Sequence, residues 1–465
     1  MSQEQPNIVL CMCDQLRAFE VGCYGNDHIR TPNIDRLASS GARFDLAVTP
    51  NPVCTPARSS TLTGQYSRTC AGMLGNVHRN PANPARERLL DPTLPEILRE
   101  NGYHTELIGK WHIGPQPKLI GFNRAVYPKV AHRYYDQTYF THEGDSFVVE
   151  EFGPHWEMQR VREFLAGRRE EDEPFFLFHN ISLPHQPIGR GHMPDRYVDM
   201  YDPDKVPIRP NAMEDGEPSH DRFWFNVYTS ADFFWRHIRD EEQHPRDIVP
   251  EDFDLNDLTA LYYGATTCVD DLLGDLMDAL EENGLDENTI VVFVSDHGDN
   301  LGSHGMFNKN SLIEEAIRVP LIVRDPRKEP RENETDLSNL IDIAPTLLDL
   351  SGIGKPEHMQ GNSLVPLMEG ECNPDDRDFT FIETGSMIGV RTRTHLYGLP
   401  FDEEAKNVTD GGEWFYDLRN DPYEMNNLGG TNQQEGVRRT LRRRLLKWHQ
   451  TTPWLDAPKA ERFVE

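Results

Sequence analysis

The stretch Cys54-Thr55-Pro56-Ala57-Arg58-Ser59-Ser60-Thr61-Leu62-Thr63-Gly64 puts a cysteine in the first turn of a predicted short helix, with an arginine one turn further in. Proline is preorganised for the first turn of a helix, and Gly64 is a natural stop. A side chain at a helix N-terminus meets unsatisfied N–H groups and the positive end of the dipole, which favours anions. On residue chemistry alone the stretch reads two ways: an activated nucleophile in an anion pocket, or a structural cysteine buried beside a helix start. Four predicted strands also end on residues that bind metals, move protons or hold negative charge. Asp14 and Gln15 follow Asn7–Cys13, Lys110 and His112 follow His104–Gly109, His185 follows Phe175–Leu183, and Asp296 with His297 follows Thr289–Val294. Each is ordinary alone: an Asp after a strand commonly caps a helix, and a lone Lys or His is commonly solvated or satisfied locally. Four such endings on one sheet edge make a site.

The elements that must hold these residues are those of an α/β protein. Asn7–Cys13 is a continuous apolar run, the pattern of a strand covered on both faces. Helices are predicted at Pro32–Ser39 with Thr31 as cap, at Pro92–Asn101, and from about Asp257 to Asn283, where Leu258, Leu261, Tyr262, Ala265 and Val269 recur at helical spacing. Val319–Val323 reads as a further strand. Strands alternating with helices predict a large, mostly parallel sheet covered on both faces, with ligands beyond the carboxyl ends of its strands. Phe379–Glu383, Gly389–Tyr397 and Trp414–Leu418 predict a small C-terminal antiparallel sheet, followed by a basic helix at Gln434–His449. That basic run reads as a solvated face. The expected division is a catalytic domain over 1–370 and a smaller α+β subdomain over 371–465. Two irregular stretches, about 115–155 and 186–250, interrupt the rhythm and read as functional loops, the second rimming the pocket. Its aromatic cluster from Phe223 to Trp235 reads as packing or an oligomer contact.

A chain of 465 residues buries a large core without disulfides. Its net charge of −30 argues against binding nucleic acid or an anionic membrane, so an anionic substrate needs a local pocket of opposite sign. The seven cysteines show no metal-type spacing, and Cys11 and Cys13 read as core residues; the pattern suits a reducing compartment. Met1–Pro6 lacks a basic leader, and no segment approaches a membrane span, so the expected location is cytoplasmic.

Cys54-x-Pro56-x-Arg58 followed by Leu62-Thr63-Gly64 resembles the signature of the type I, formylglycine-dependent sulfatases of the alkaline phosphatase superfamily. Gly109-Lys110-Trp111-His112, Pro184-His185, Asp296-His297-Gly298 and Lys309 fall in that family's order, as does the tail from Trp414 to Leu428. The resemblance implies an alkaline-phosphatase-like fold and a Cys54 converted by a formylglycine-generating enzyme to an aldehyde, whose hydrate is the nucleophile. It implies a divalent metal at Asp14, Gln15, Asp296, His297 and residue 54. Oxygen ligands favour Ca²⁺, while the imidazole and the amide leave Mn²⁺ or Mg²⁺ open. Arg58, Lys110 and Lys309 would hold sulfate oxygens, His112 would deprotonate the second hydroxyl of the hydrate, and His185 or Lys309 would protonate the departing alcohol. The implied substrate is a sulfated carbohydrate or a small aryl or alkyl sulfate, with homo-oligomerisation open. Many relatives carry a second Asp where this chain has Gln15. Asp-Gln also occurs in relatives resembling phosphonate monoester and phosphodiester hydrolases, which makes such an activity the alternative. A non-catalytic sulfated-glycan-binding protein is a third reading, should Cys54 stay unconverted. His78, His179 and His304 read as outside the chemistry, with His304 near the site.

Overall fold

The strand Asn7–Asp14 is apolar along its length because both of its faces are covered. Ile8, Leu10 and Met12 enter one core with Phe176, Phe178 and Val292. Val9, Cys11 and Cys13 enter a second core with Val269, Leu272 and Leu276 of the long helix Leu255–Glu282. The computed structural model describes residues 5–76, 86–168, 173–214, 217–218, 254–371 and 377–456. Within them the strands are β1 (Asn7–Asp14), β2 (Ala42–Val48), β3 (His104–Gly109), β4 (Arg124–Pro128), β5 (Gln137–Thr141), β6 (Ser146–Val149), β7 (Phe175–Pro184), a short hairpin of β8 (Met213–Glu214) and β9 (Glu217–Pro218), β10 (Thr289–Ser295), β11 (Leu321–Arg324) and β12 (Arg331–Asn339).

All but the hairpin form one 10-stranded sheet in the order β12-β2-β11-β10-β1-β7-β3-β4-β5-β6. β10, β1, β7, β3 and β4 are adjacent and mutually parallel. The four strands expected to end on chemical residues are therefore neighbours, and those residues emerge at one edge. β11 and β5 run against the rest, so the sheet is mixed though mostly parallel. The strand expected at Val319–Val323 forms at Leu321–Arg324, antiparallel to β10.

The first irregular stretch is a correction. Residues 115–155 carry β4, β5 and β6, which extend the main sheet, and they lead into a helix at Gly153–Arg168. Their alternation is short and broken by turns, so no period builds up, and β6 is an edge strand that leaves Phe147 and Val148 exposed. The aromatic cluster Phe223–Trp235 and His78 lie outside the described residues.

The C-terminal sheet contains β13 (Phe379–Glu383), β14 (Met387–Thr392), β15 (His395–Asp402), β16 (Asn407–Val408) and β17 (Trp414–Asp417), all paired antiparallel. The single segment expected at Gly389–Tyr397 is thus the end of β14, a turn and the start of β15. The basic helix spans Glu435–Thr451; it lays Leu441, Leu445 and Trp448 against Phe381, Val390 and Tyr397. Its other side is solvated, with the Arg439 side chain 73% exposed. Two buried ion pairs join this sheet to the rest: Arg68 with Glu383 at 2.5 Å, and Arg391 with Glu314 at 2.7 Å. Among the described residues no helix is long and apolar enough to cross a membrane.

Candidate active site

The helix that carries Cys54 spans Cys54–Thr63, and Gly64 ends it in the left-handed conformation at φ 64°. Every residue of the helix is buried, which explains its run of small side chains. Val53 is extended, so the helix begins at Cys54 itself. Asn76 fixes the start by accepting from the Thr55 N–H at 3.0 Å, and Thr55 Oγ1 donates to the His112 carbonyl at 2.8 Å. The second bond ties the Lys110–His112 loop to the residue beside the cysteine.

Cys54 Sγ lies 3.2 Å from His297 Nε2, 3.4 Å from Lys309 Nζ and 3.7 Å from Asp14 Oδ1. Ligand atoms of Asp14, Cys54, Asp296 and His297 all lie within 4.8 Å of one another, and all four residues are buried. Two carboxylates and an imidazole so close, away from water, suit a divalent cation. The electrostatics agree. Burial pushes the Asp296 carboxyl up, but Arg58, His297 and Lys110 outweigh it and hold Asp296 far below the usual carboxylate range. Burial brings His297 down to about 3 against the opposing pull of Asp296. His297 Nδ1 faces the Gly298 carbonyl at 2.8 Å, so the ring proton sits there and Nε2 turns its lone pair to the cluster.

Arg58 is anchored on the same side, with Nε on Asp296 Oδ2 at 2.9 Å and Nη1 on Asn180 Oδ1 at 2.8 Å. Its third nitrogen, Nη2, lies 3.7 Å from Asp14 and makes no hydrogen bond among the described residues. Lys110 pairs with Asp14. Lys309 Nζ contacts His185 Nε2 at 2.8 Å and Gln15 Oε1 at 3.1 Å. The structure therefore gathers Asp14, Gln15, Cys54, Arg58, Lys110, His185, Asp296, His297 and Lys309 in one network, with the backbone of His112 tied to its edge. His179 stays apart, buried in β7 with Nδ1 on the Ile108 carbonyl at 3.3 Å. His304 Nε2 lies 3.4 Å from Asn211 Nδ2.

Several residues escape the sequence reading. Asn180 both accepts from Arg58 and, through its carbonyl, receives the Lys110 N–H at 2.9 Å; its trace is a polar residue inside an apolar strand. Asp299 accepts from Gln15 Nε2 at 2.5 Å and from Gln186 Nε2 at 3.1 Å; it stands three residues past Asp296 and could have been drawn from that loop. The His132 ring stacks on His185, centroids 3.6 Å apart. It belongs to the stretch read as irregular, where nothing in the pattern marks it.

Residues 6–353 match the sulfatase family, and residues 302–451 match the C-terminal region of N-sulphoglucosamine sulphohydrolase. The chain is 29% identical to the ulvan-active sulfatase of Formosa agariphila, covering 95% of this chain and 81% of that protein. It is 30% identical to an arylsulfatase of Clostridium perfringens, covering 95% and 94% respectively. A solved structure in complex with its substrate D-glucosamine-2-N,6-O-disulfate superposes with a TM-score of 0.78 at 26% identity, over 97% of this chain and 99% of that one. With the fold, the ordered motifs and the buried cluster already in agreement, the chain belongs to the sulfatase family and is a sulfuric ester hydrolase.

Proposed function

We propose that this sulfatase acts on a sulfated saccharide, through a formylglycine made from Cys54 and with a divalent cation held by Asp14, Asp296 and His297 beside Gln15. One observation carries the reading. Cys54 sits at a helix start with a carboxylate, a neutral imidazole and an ammonium all within 3.7 Å. Such a site suits an oxygen nucleophile better than a thiol, because a thiol that attacked a sulfate ester would be left as a covalent adduct with no easy exit. One hydroxyl of the hydrated aldehyde gives up its proton to solvent and attacks sulfur, and the S–O bond to the alcohol breaks as that oxygen takes a proton from Lys309 or His185. The second hydroxyl then loses its proton to His112, the bond from carbon to the sulfate oxygen breaks, and the aldehyde returns. The cation, when bound, acidifies the attacking hydroxyl and neutralises sulfate charge. The two carboxylates favour Ca²⁺, and the imidazole admits Mn²⁺.

Arg58 holds a sulfate oxygen through Nη2, because Nε and Nη1 are committed to Asp296 and Asn180. Lys110, paired with Asp14, and Lys309, 3.4 Å from Cys54 Sγ, stabilise the charge that develops there. The saccharide assignment draws on two relatives, the ulvan-active sulfatase and the protein solved with a glucosamine disulfate. Gln15 does not by itself favour a phosphonate, since Asp299 accounts for a neutral side chain at that position.

The test is a panel of desalted sulfated sugars and aryl, alkyl and phosphonate esters, with product quantified after coexpression with a maturation enzyme. Intact-mass analysis of the Cys54 peptide accompanies it. Sulfate release from sugars together with an aldehyde at residue 54 is the expected result. An unmodified thiol with full turnover, or faster release from phosphonates, overturns the reading.

A further inference from the structure

We infer that Asp299 is a positioning residue that fixes the carboxamide of Gln15 and, through it, Lys309. All three side chains are buried, and their donors and acceptors admit one arrangement. A carboxylate only accepts and an ammonium only donates. Gln15 Nε2 therefore faces Asp299 Oδ2, at 2.5 Å, and Gln15 Oε1 faces Lys309 Nζ, at 3.1 Å. Gln186 reinforces the hold: its Oε1 accepts from Gln15 Nε2 at 2.9 Å, and its own Nε2 donates to Asp299 Oδ2 at 3.1 Å. The other oxygen of Asp299 receives the Leu301 N–H at 2.7 Å, so the carboxylate cannot turn away.

The backbone of Gln15 is pinned as well. It adopts φ 68°, donates its N–H to Asp296 Oδ1 at 3.1 Å, and accepts from Tyr262 Oη at 2.5 Å. With main chain and amide both fixed, the one adjustable contact of Gln15 is the one it makes with Lys309. Without Asp299 the amide can rotate by half a turn and present N–H groups to an ammonium, which pushes Lys309 off the line to the departing oxygen. The same geometry explains the glutamine. A carboxylate at position 15 would meet Asp299 at hydrogen-bond distance, where two buried carboxylates cannot both carry their charge.

This inference rests on the proposed sulfatase function, with Lys309 taken as the donor of the leaving-group proton, and a double-mutant cycle separates the two. Asp299→Asn should lower kcat about 10²-fold on an alkyl sulfate, within the range for a misplaced general acid, with KM little changed. Nitrophenyl sulfate, which needs no proton on leaving, should lose far less. Gln15→Glu should be at least as damaging. The double variant should regain much of the loss, because the amide introduced at position 299 can donate to the carboxylate introduced at position 15, which still accepts from Lys309. Losses that simply multiply, or equal losses on both leaving groups, overturn the inference. If Asp299→Asn does not fold, Gln186→Met weakens the same hold from a partly buried position and should show the same leaving-group bias; an unbiased loss counts against the inference. Calorimetric Ca²⁺ titration gives a readout without turnover. Gln15 is bonded to Asp296, so Asp299→Asn should weaken Ca²⁺ about 10-fold or more, and the double variant should restore it. A wild type that hydrolyses no sulfate ester defeats the sulfatase reading, while unchanged Ca²⁺ affinity in Asp299→Asn defeats the positioning.

Discussion

Lys309 donates to His185, with Nζ 2.8 Å from Nε2, while His185 Nδ1 donates to the Gln186 carbonyl at 2.6 Å. A carbonyl only accepts, so the ring proton sits on Nδ1 and Nε2 is the acceptor. Burial is the main cause that holds His185 well below the usual imidazole range, and Lys309 and Lys110 add to it. For the proposed reaction, the sequence alone leaves open which of the pair would protonate the departing alcohol. The resting geometry favours Lys309, because His185 presents a lone pair. Lys309→Met should lower kcat by about 10² to 10⁴ on alkyl sulfates and much less on nitrophenyl sulfate. His185→Gln, which keeps an acceptor toward Lys309, should be milder. Rates measured across a series of leaving groups decide it, and a steeper dependence in His185→Gln than in Lys309→Met reverses the assignment.

Arg58 bridges two elements with a planar fork, Nε on Asp296 and Nη1 on Asn180, and a point charge cannot do the same. Arg58→Lys keeps the charge and loses at least one anchor together with the Nη2 donor. A fall in kcat/KM of about 10²- to 10³-fold is expected, the scale of losing one donor to a developing oxyanion. Asn180→Leu, which keeps Arg58 and removes its anchor, should show a smaller fall in the same direction. Kinetics on one sulfate ester with both variants checks this, and wild-type rates in Arg58→Lys would refute the bridging role.

The sheet edge is legible in the sequence because the chemical residues follow directly on apolar strand runs: Asp14 after Cys13, Asp296 after Ser295. A parallel sheet brings such endings together whatever the loops between them do. The network behind them is not legible there. Asn180 lies inside its strand, and its pairing with Arg58 depends on which helix covers that face. His132 comes from a stretch whose strands are too short to show a period, and its stacking on His185 depends on a sheet extension that sequence spacing does not reveal. Gln15 reads as a departure from a two-carboxylate pattern until Asp299 is seen against it; then the charge is displaced and not lost.

Glu157 is a buried carboxyl outside the proposed chemistry, with Oε1 accepting from Tyr139 Oη at 2.8 Å. Burial pushes it up from 4.5 to about 8. The folded protein therefore holds a proton that the unfolded chain has released between those pH values, and stability falls as pH rises across that window. At about 1.4 kcal/mol per pKa unit the whole effect is on the order of a few kcal/mol. Glu157→Gln keeps an acceptor for Tyr139 and cannot ionise. The variant and the parent should melt alike near pH 5, with the variant increasingly the more stable up to about pH 8 and the gap constant beyond. Melting curves across that range test it, and a gap independent of pH would place the ionisation elsewhere.

Gly298, next to His297, the proposed cation ligand, has no room for a side chain: a Cβ there would sit 1.9 Å from the Glu315 carbonyl. The turn Glu314–Ile317 is thus the backing of the Asp296–Gly298 loop, and the Gly298 N–H donates to the Ala316 carbonyl at 2.8 Å. Residues of the small sheet and its tail hold that turn. Arg391 of β14 grips Glu314 with two bonds of 2.7 and 3.0 Å, and Glu424 Oε2 accepts from the Glu314 N–H at 2.9 Å. Arg391→Met leaves a buried carboxylate unpaired and should destabilise by about 3 to 5 kcal/mol. Arg391→Met with Glu314→Gln removes both charges and should recover most of that. If the backing matters to the site, Arg391→Met should also weaken Ca²⁺ binding, by the 10-fold or more typical of losing an outer support of metal ligands. Denaturant melts and calorimetric titration on the same samples separate the two effects. A loss of stability with unchanged Ca²⁺ affinity would make the small sheet a support for the fold and not for the ligands.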